Sequence, residues 1–227
     1  MRKYLILLLF FAVCFSAAAG DKANFINLGF STNSRYYMFA QYGLDPDTYY
    51  PYAEIYYVDV YNNSFVSDGV QTIEPNIAVD PGQNGFGAFL NLYADLVYKT
   101  EGLNIDHLET GRLIYLLLNG EKPREELEFR DFIGGNKYKV NLIQQSFGSG
   151  EDISASFHLK VYVTDKTGNT KTHTVGLPNF KRKGVRQYRI KQILFSPDEK
   201  SLVMVIEKEF YAGSGINIRY MVETFKL

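Results

Sequence analysis

Apolar and polar residues alternate with a period of two along most of this chain, the spacing of strands that bury one face. The clearest run is 153–164. Ile153, Ala155, Phe157, Leu159, Val161 and Val163 make an apolar face, and Ser154, Ser156, His158, Lys160, Tyr162 and Thr164 make the opposite one. Asp165-Lys166-Thr167-Gly168-Asn169 then carries hairpin-loop residues, with Gly168 suited to a left-handed position. That register returns Val175 and Leu177 beside Leu159 and Phe157 on the core face. A strand, turn, strand unit recurs at 28–43 and 193–206. In each, Phe-Ser closes the first strand (Phe30-Ser31, Phe195-Ser196), Thr32-Asn33 or Pro197-Asp198 supplies the turn, and Arg35 or Lys200 opens the second strand. A third, looser copy has Gly134-Gly135-Asn136 as its turn and strands at 137–145 and 153–164. Further strands are expected at 53–60, 64–66, 127–132 and 216–225.

Two stretches break the pattern. Over 85–100, Phe86, Phe89, Leu90, Tyr93, Leu96 and Val97 recur at spacings of three and four, which predicts an amphipathic helix. Leu113 to Leu118 is a continuous apolar run bounded by Gly111 and Asn119-Gly120, whose length suits a strand buried on both faces better than a helix; as a strand it would be central. The expected fold is mainly β, with antiparallel hairpin or blade-like units closing as a propeller, barrel or sandwich. It forms a single domain over 20–227, with a helix-containing insertion at 67–120. A closed propeller needs at least about four blades.

Gly29-Phe30-Ser31 through Gln41-Tyr42-Gly43, then Pro51-Tyr52-Ala53-Glu54-Ile55 and Val58-Asp59-Val60, resemble the start of the predicted secreted bacterial proteins grouped as domain of unknown function family 2259. The likeness is specific over 25–66 and loose beyond, and it places Ser34 where a turn glycine is expected. It implies export and a shared fold, and it brings no activity, substrate or site residue. The Phe-Ser-x-Asp/Asn turn also resembles the repeat of TolB-type and WD-type propellers.

Compartment follows from the first twenty residues. Arg2 and Lys3 precede an apolar run from Tyr4 to Phe15 and a small-residue zone, Ser16-Ala17-Ala18-Ala19-Gly20. This is a signal peptide over 1–19, cleaved after Ala19 or Gly20. Lipid attachment at Cys14 is disfavoured because Val13 precedes it. Cleavage removes the chain's one cysteine, so the mature protein holds itself together without disulfides. It also leaves 22 cationic against 25 anionic side chains, from 24 against 25. The charges are dispersed, which argues against nucleic acid or a polybasic membrane contact as partner. No transmembrane helix is expected in the mature chain, which is periplasmic or released.

Catalytic motifs are missing. Gly148-Ser149-Gly150 and Gly213-Ser214-Gly215 lack the Gly-x-Ser-x-Gly spacing, Glu125-Glu126 would face opposite ways on a strand, and no phosphate-binding glycine loop occurs. Three histidines remain for a metal. His158 faces solvent, and His173 lies beside Val161 or, after a one-residue slip, on the outer face, so neither register makes a shared metal site. His107, within Asn104-Ile105-Asp106-His107-Leu108-Glu109, reads as a polar connection. No cofactor is implied.

Aromatic usage is high, with Tyr 18, Phe 17 and no Trp. Two surface candidates follow. Thr48-Tyr49-Tyr50-Pro51-Tyr52 with Glu54 offers a tyrosine platform for a sugar ring or extended peptide, with a carboxylate to accept a hydrogen bond, or else it covers the end of a sheet. Lys181, Arg182, Lys183 and Arg186 form an anion site or a solvated loop. The reading is an exported, non-catalytic module that binds an envelope protein or glycan. A hydrolase assembled from distant strands and an envelope assembly partner stand as the alternatives.

Overall fold

The computed structural model describes residues 20–80, 82–212 and 215–227; the expected signal peptide and Gly213-Ser214 lie outside the described residues. β1 (Asn24–Ser31), β2 (Tyr36–Leu44), β3 (Pro51–Asp59) and β4 (Ser64–Ile73) form an antiparallel meander. Helices α1 (Phe86–Asp95) and α2 (Val97–Gly102) follow, then β5 (Ile105–Asp106), which adds to β1, and β6 (Arg112–Leu116). A second meander holds β7 (Glu126–Arg130), β8 (Lys137–Phe147), β9 (Ser154–Thr164) and β10 (Thr170–Lys183). The last, β11 (Val185–Phe195), β12 (Ser201–Ala212) and β13 (Gly215–Lys226), recruits β6 beside β11, giving the order β13-β12-β11-β6.

β12 explains how the sheets stack. Leu202, Met204 and Ile206 pack with Phe157, Leu159 and Val161 of β9, whereas Val203 and Val205 pack with Tyr37, Phe39 and Val58 of the first meander. The last sheet is therefore the middle layer, buried on both faces, which is why Leu202-Val203-Met204-Val205-Ile206 is apolar without interruption. On the far face of the first meander, Met38, Ala40, Ala53, Ile55 and Tyr57 lie beneath Ala88, Phe89 and Leu92 of α1. The order through the molecule is helix, sheet, sheet, sheet. The three sheets form a sandwich-like stack in which the last sheet in sequence lies between the other two.

The repeated turns share one geometry. Ser31 Oγ donates to Asn33 Oδ1 at 2.7 Å and accepts the Tyr36 N–H at 2.9 Å. Ser196 Oγ donates to Asp198 Oδ1 at 2.6 Å and accepts the Ser201 N–H at 3.0 Å. The fourth residue is left-handed in both, Ser34 at φ 58° and Glu199 at φ 59°. Ser34 thus occupies a conformation usually given to glycine.

Several expectations need correction. The run at Leu113 to Leu118 is not central: β6 pairs with β11 at one edge of the middle sheet, and Leu113, Leu116 and Leu118 are exposed. Position in the sheet order decides burial here, and a hydrophobic run does not reveal that position. Val175 and Leu177 do return opposite Leu159 and Phe157, but Leu177 is exposed because the register breaks just after it, beyond Gly176 at φ 90°. β4 extends to Ile73 rather than Val66, its pattern hidden by an irregularity at Asp68-Gly69, where Asp68 is left-handed. The predicted helix is two helices meeting at Leu96.

Candidate functional site

β13 is the free edge of the middle sheet, and alternate residues of an edge strand point their N–H groups outward. Three of these are capped. Asp21 O accepts from Ile218 at 2.8 Å, Gln41 Oε1 from Tyr220 at 2.7 Å, and Asn63 Oδ1 from Thr224 at 2.8 Å. Groups from the N-terminal segment, β2 and the β3–β4 turn thus reach over the edge. Near its Arg219 end lies a cleft of about 270 Å³ lined by Asp45, Tyr52, Glu54, Thr72, Glu74 and Arg219.

The loop between β2 and β3 stands at this cleft, braced by Asp45. Its Oδ1 accepts the N–H groups of Asp47 (3.0 Å) and Thr48 (2.8 Å) and the Thr48 hydroxyl (2.8 Å). Those bonds, led by the Thr48 N–H, hold the Asp45 carboxyl below its ordinary range. Asp45 N–H also donates to Tyr50 O, Tyr49 N–H to Asp45 O, and Val79 N–H to Tyr49 O. The result is a loop tied by internal hydrogen bonds, with Tyr49 left-handed at φ 59° and 53% exposed. For a bulky L-residue that conformation costs about 1–2 kcal/mol.

The alternation of β3 divides the expected platform. Tyr49 stands out to solvent and Tyr50 is half-buried, whereas Tyr52 is 8% exposed and turned toward the middle sheet. Tyr52 donates to the Asp21 carboxylate, and Arg219 lies 4.3 Å over its ring while pairing with Asp21 at 2.8 Å. Glu54 shares that face and accepts from Gln41 Nε2 and from the Tyr56 hydroxyl, each at 2.5 Å. Burial pushes the Tyr52 and Tyr56 hydroxyls well above their ordinary pKa. Tyr52, Glu54 and Arg219 thus line the cleft, whereas Tyr49 and Tyr50 belong to the loop and not to the cleft lining.

The basic cluster divides as well. Arg182 stands opposite Ala155, on the inward face, and Lys183 stands opposite Ser154, outward and exposed. Lys181 lies 3.8 Å over the Phe147 ring, and Arg186 pairs with Glu209 at 3.4 Å. Each cation takes a different direction or partner. His107 bridges Tyr93 OH (2.7 Å) and Leu28 O (2.6 Å), and His173, opposite Val161, packs at a tilt against Phe225 with centroids 4.6 Å apart. Among the described residues no group of His, Asp or Glu is arranged to hold a metal ion.

Gln41, Asp45 and Arg219 escaped the sequence reading. Gln41 did leave a trace, as the polar member of an inward series with Tyr37 and Phe39. Arg219 left none, because its place over Tyr52 depends on how two distant strands meet.

Residues 38–226 match the family model described as "Predicted secreted protein (DUF2259)". The chain belongs to that family. The DUF2259 match begins in β2 and ends in β13, so it spans strands of all three sheets. It extends well past the 25–66 stretch that first carried the likeness. Membership of DUF2259 makes this a predicted secreted protein, and no helix among its described residues is long and apolar enough to cross a membrane. No curated protein sequence matches the chain.

Proposed function

We propose that this secreted protein is a non-catalytic binding module of the bacterial envelope. Its site is the β2–β3 loop and the cleft beside it, and its ligand is a sugar ring of an envelope glycan. Tyr49 and Tyr50 supply the stacking surface. Glu54 and Arg219 supply an acceptor and a donor for ring hydroxyls, and Tyr52 forms the wall behind them. Carboxylates and guanidinium groups fixed by neighbours suit hydroxyl recognition, because little rotamer freedom is lost on binding.

The observation that carries this reading is the left-handed Tyr49. Among the described residues the other non-glycine positions with positive φ are Ser34, Asn63, Asp68, Asn104 and Glu199, all polar, and a bulky residue kept in such a conformation fits a role in contact with a partner. The test is co-sedimentation of the mature chain with peptidoglycan sacculi, comparing it with the double variant Tyr49→Ala/Tyr50→Ala. Tyr52 is left in place because it belongs to the core. The parent sediments and the folded double variant stays in the supernatant. Equal sedimentation of the two excludes this site, and a parent that stays in the supernatant contradicts the glycan reading.

A further inference from the structure

A second cavity of about 270 Å³ opens beside β13, between β4 and β10, lined by Asn63, Phe65, Leu177, Arg182, Met221 and Glu223 among others. Its charged groups are unusually placed. The Arg182 guanidinium sits among the rings of Phe180 (5.0 Å), Phe157 (5.4 Å) and Tyr188 (5.9 Å). Its Nη1 is buried and makes no hydrogen bond. Glu223 is 5% exposed and accepts one hydrogen bond, from Asn63 Nδ2 at 2.6 Å. Burial pushes its carboxyl up, against the bond from Asn63 and the field of Arg182. Buried charges are normally paired, so a half-buried guanidinium with no carboxylate bound to it is placed to take an anion.

The backbone adds a donor. By the alternation that aims the N–H groups of Ile218, Tyr220 and Thr224 off the sheet edge, Val222 aims its own outward beside this cavity. Among the described residues Val222 has no capping group, unlike those three. The wall opposite is Gly176 at φ 90°, where a Cβ would meet His158 Cα at 3.2 Å and Phe157 O at 3.3 Å. Glycine lets β10 lie close to β9 there before its register breaks.

We propose that this cavity binds a terminal α-carboxylate whose neighbouring nitrogen carries a proton, with an apolar side chain. The carboxylate meets the Arg182 guanidinium and the Val222 N–H, the nitrogen donates to Glu223, and the side chain lies against Val58, Phe65, Leu177 and Met221. A free amino acid and the C-terminus of a peptide share this chemistry. The site is independent of the Tyr49 loop, and either proposal can fail without the other.

Thermal unfolding of the mature chain with leucine, N-acetylleucine or leucinamide at millimolar concentration tests it, since a ligand of the native state raises Tm. A free amino acid as ligand predicts a rise with leucine alone. A peptide terminus predicts the larger rise with N-acetylleucine. Leucinamide, lacking the carboxylate, leaves Tm unchanged in both cases. Arg182→Gln weakens binding on the order of tenfold or more. A rise with leucinamide equal to that with the acids, no rise with either acid, or undiminished binding by folded Arg182→Gln overturns the proposal. If Arg182→Gln does not fold, the acids and the amide compared on the parent decide it.

Discussion

The N–H of Asp198 donates to the Oγ of Ser34 at 3.2 Å, so the two turns that share a sequence plan also hold each other. Next to them, Arg112 forks onto the Glu199 carboxylate and pairs with Asp131 at 3.1 Å. A polar chain thus runs from the first meander through the middle sheet to the second meander at one end of the stack.

Ser34 is left-handed and buried. Ser34→Ala keeps the unfavourable backbone and loses the hydroxyl, and should cost about 1–2 kcal/mol. Ser34→Gly loses the same hydrogen bond but releases the backbone, so it should stay within about 1 kcal/mol of the parent. Urea unfolding of both variants checks the order; an alanine variant as stable as the glycine variant would mean that φ at this turn is not left-handed.

Asp131 should make the protein sensitive to acid. Burial raises its pKa, but Arg112 and the N–H groups of Gly134 and Ile133 outweigh burial and hold the carboxyl below its ordinary value. A carboxyl with a depressed folded-state pKa stabilises fully above its unfolded value of about 3.9, and that contribution is lost as pH falls through the folded-state pKa. Asp131→Asn should therefore be less stable at neutral pH and show a shallower loss of stability below about pH 4. Urea titrations across that range compare the slopes.

Lys208 gives the opposite window. Burial pushes its ammonium down to about 8, aided by Arg182 and Arg219 and opposed by Glu54. Between that value and the unfolded value of about 10.4 the unfolded chain binds the extra proton, so this group makes stability rise with pH there. Buried tyrosines work against it near pH 10, so the usable range is about pH 8 to 9.5. Over that range Lys208→Met should show a smaller rise than the parent, as measured by Tm.

The middle position of the last sheet predicts that both faces of β12 resist truncation. Met204→Ala should cost roughly 2–5 kcal/mol, and Val203→Ala on the other face should also destabilise by more than about 1 kcal/mol. Leu113→Ala, on the half-exposed edge strand β6, should cost less than either. A two-layer sandwich would leave one of the β12 positions insensitive.

Strands were legible wherever a turn motif flanked a period-two pattern. The Leu159–Val175 pairing was readable because Gly168 allows few loop geometries, and the resemblance carried by 25–66 led to the right family. The stacking order was not legible. Leu113 to Leu118 and Leu202 to Ile206 are both apolar runs, and only pairing partners show that one is an edge and the other the centre. The candidate site was partly legible. Alternation in β3 already implied that Tyr52 and Glu54 share a face, but nothing local showed that Arg219, more than 160 residues away in sequence, lies over the Tyr52 ring.

Tyr49→Gly tests the binding account most directly, because it separates fold from function. Glycine removes the backbone strain at φ 59° along with the aromatic surface. Tm should hold or rise by up to roughly 4 °C, the equivalent of about 1 kcal/mol for a chain of this size, while sedimentation with peptidoglycan sacculi is lost. A variant whose Tm holds and which still sediments as the parent does would contradict the account, because the strained tyrosine would then serve no partner.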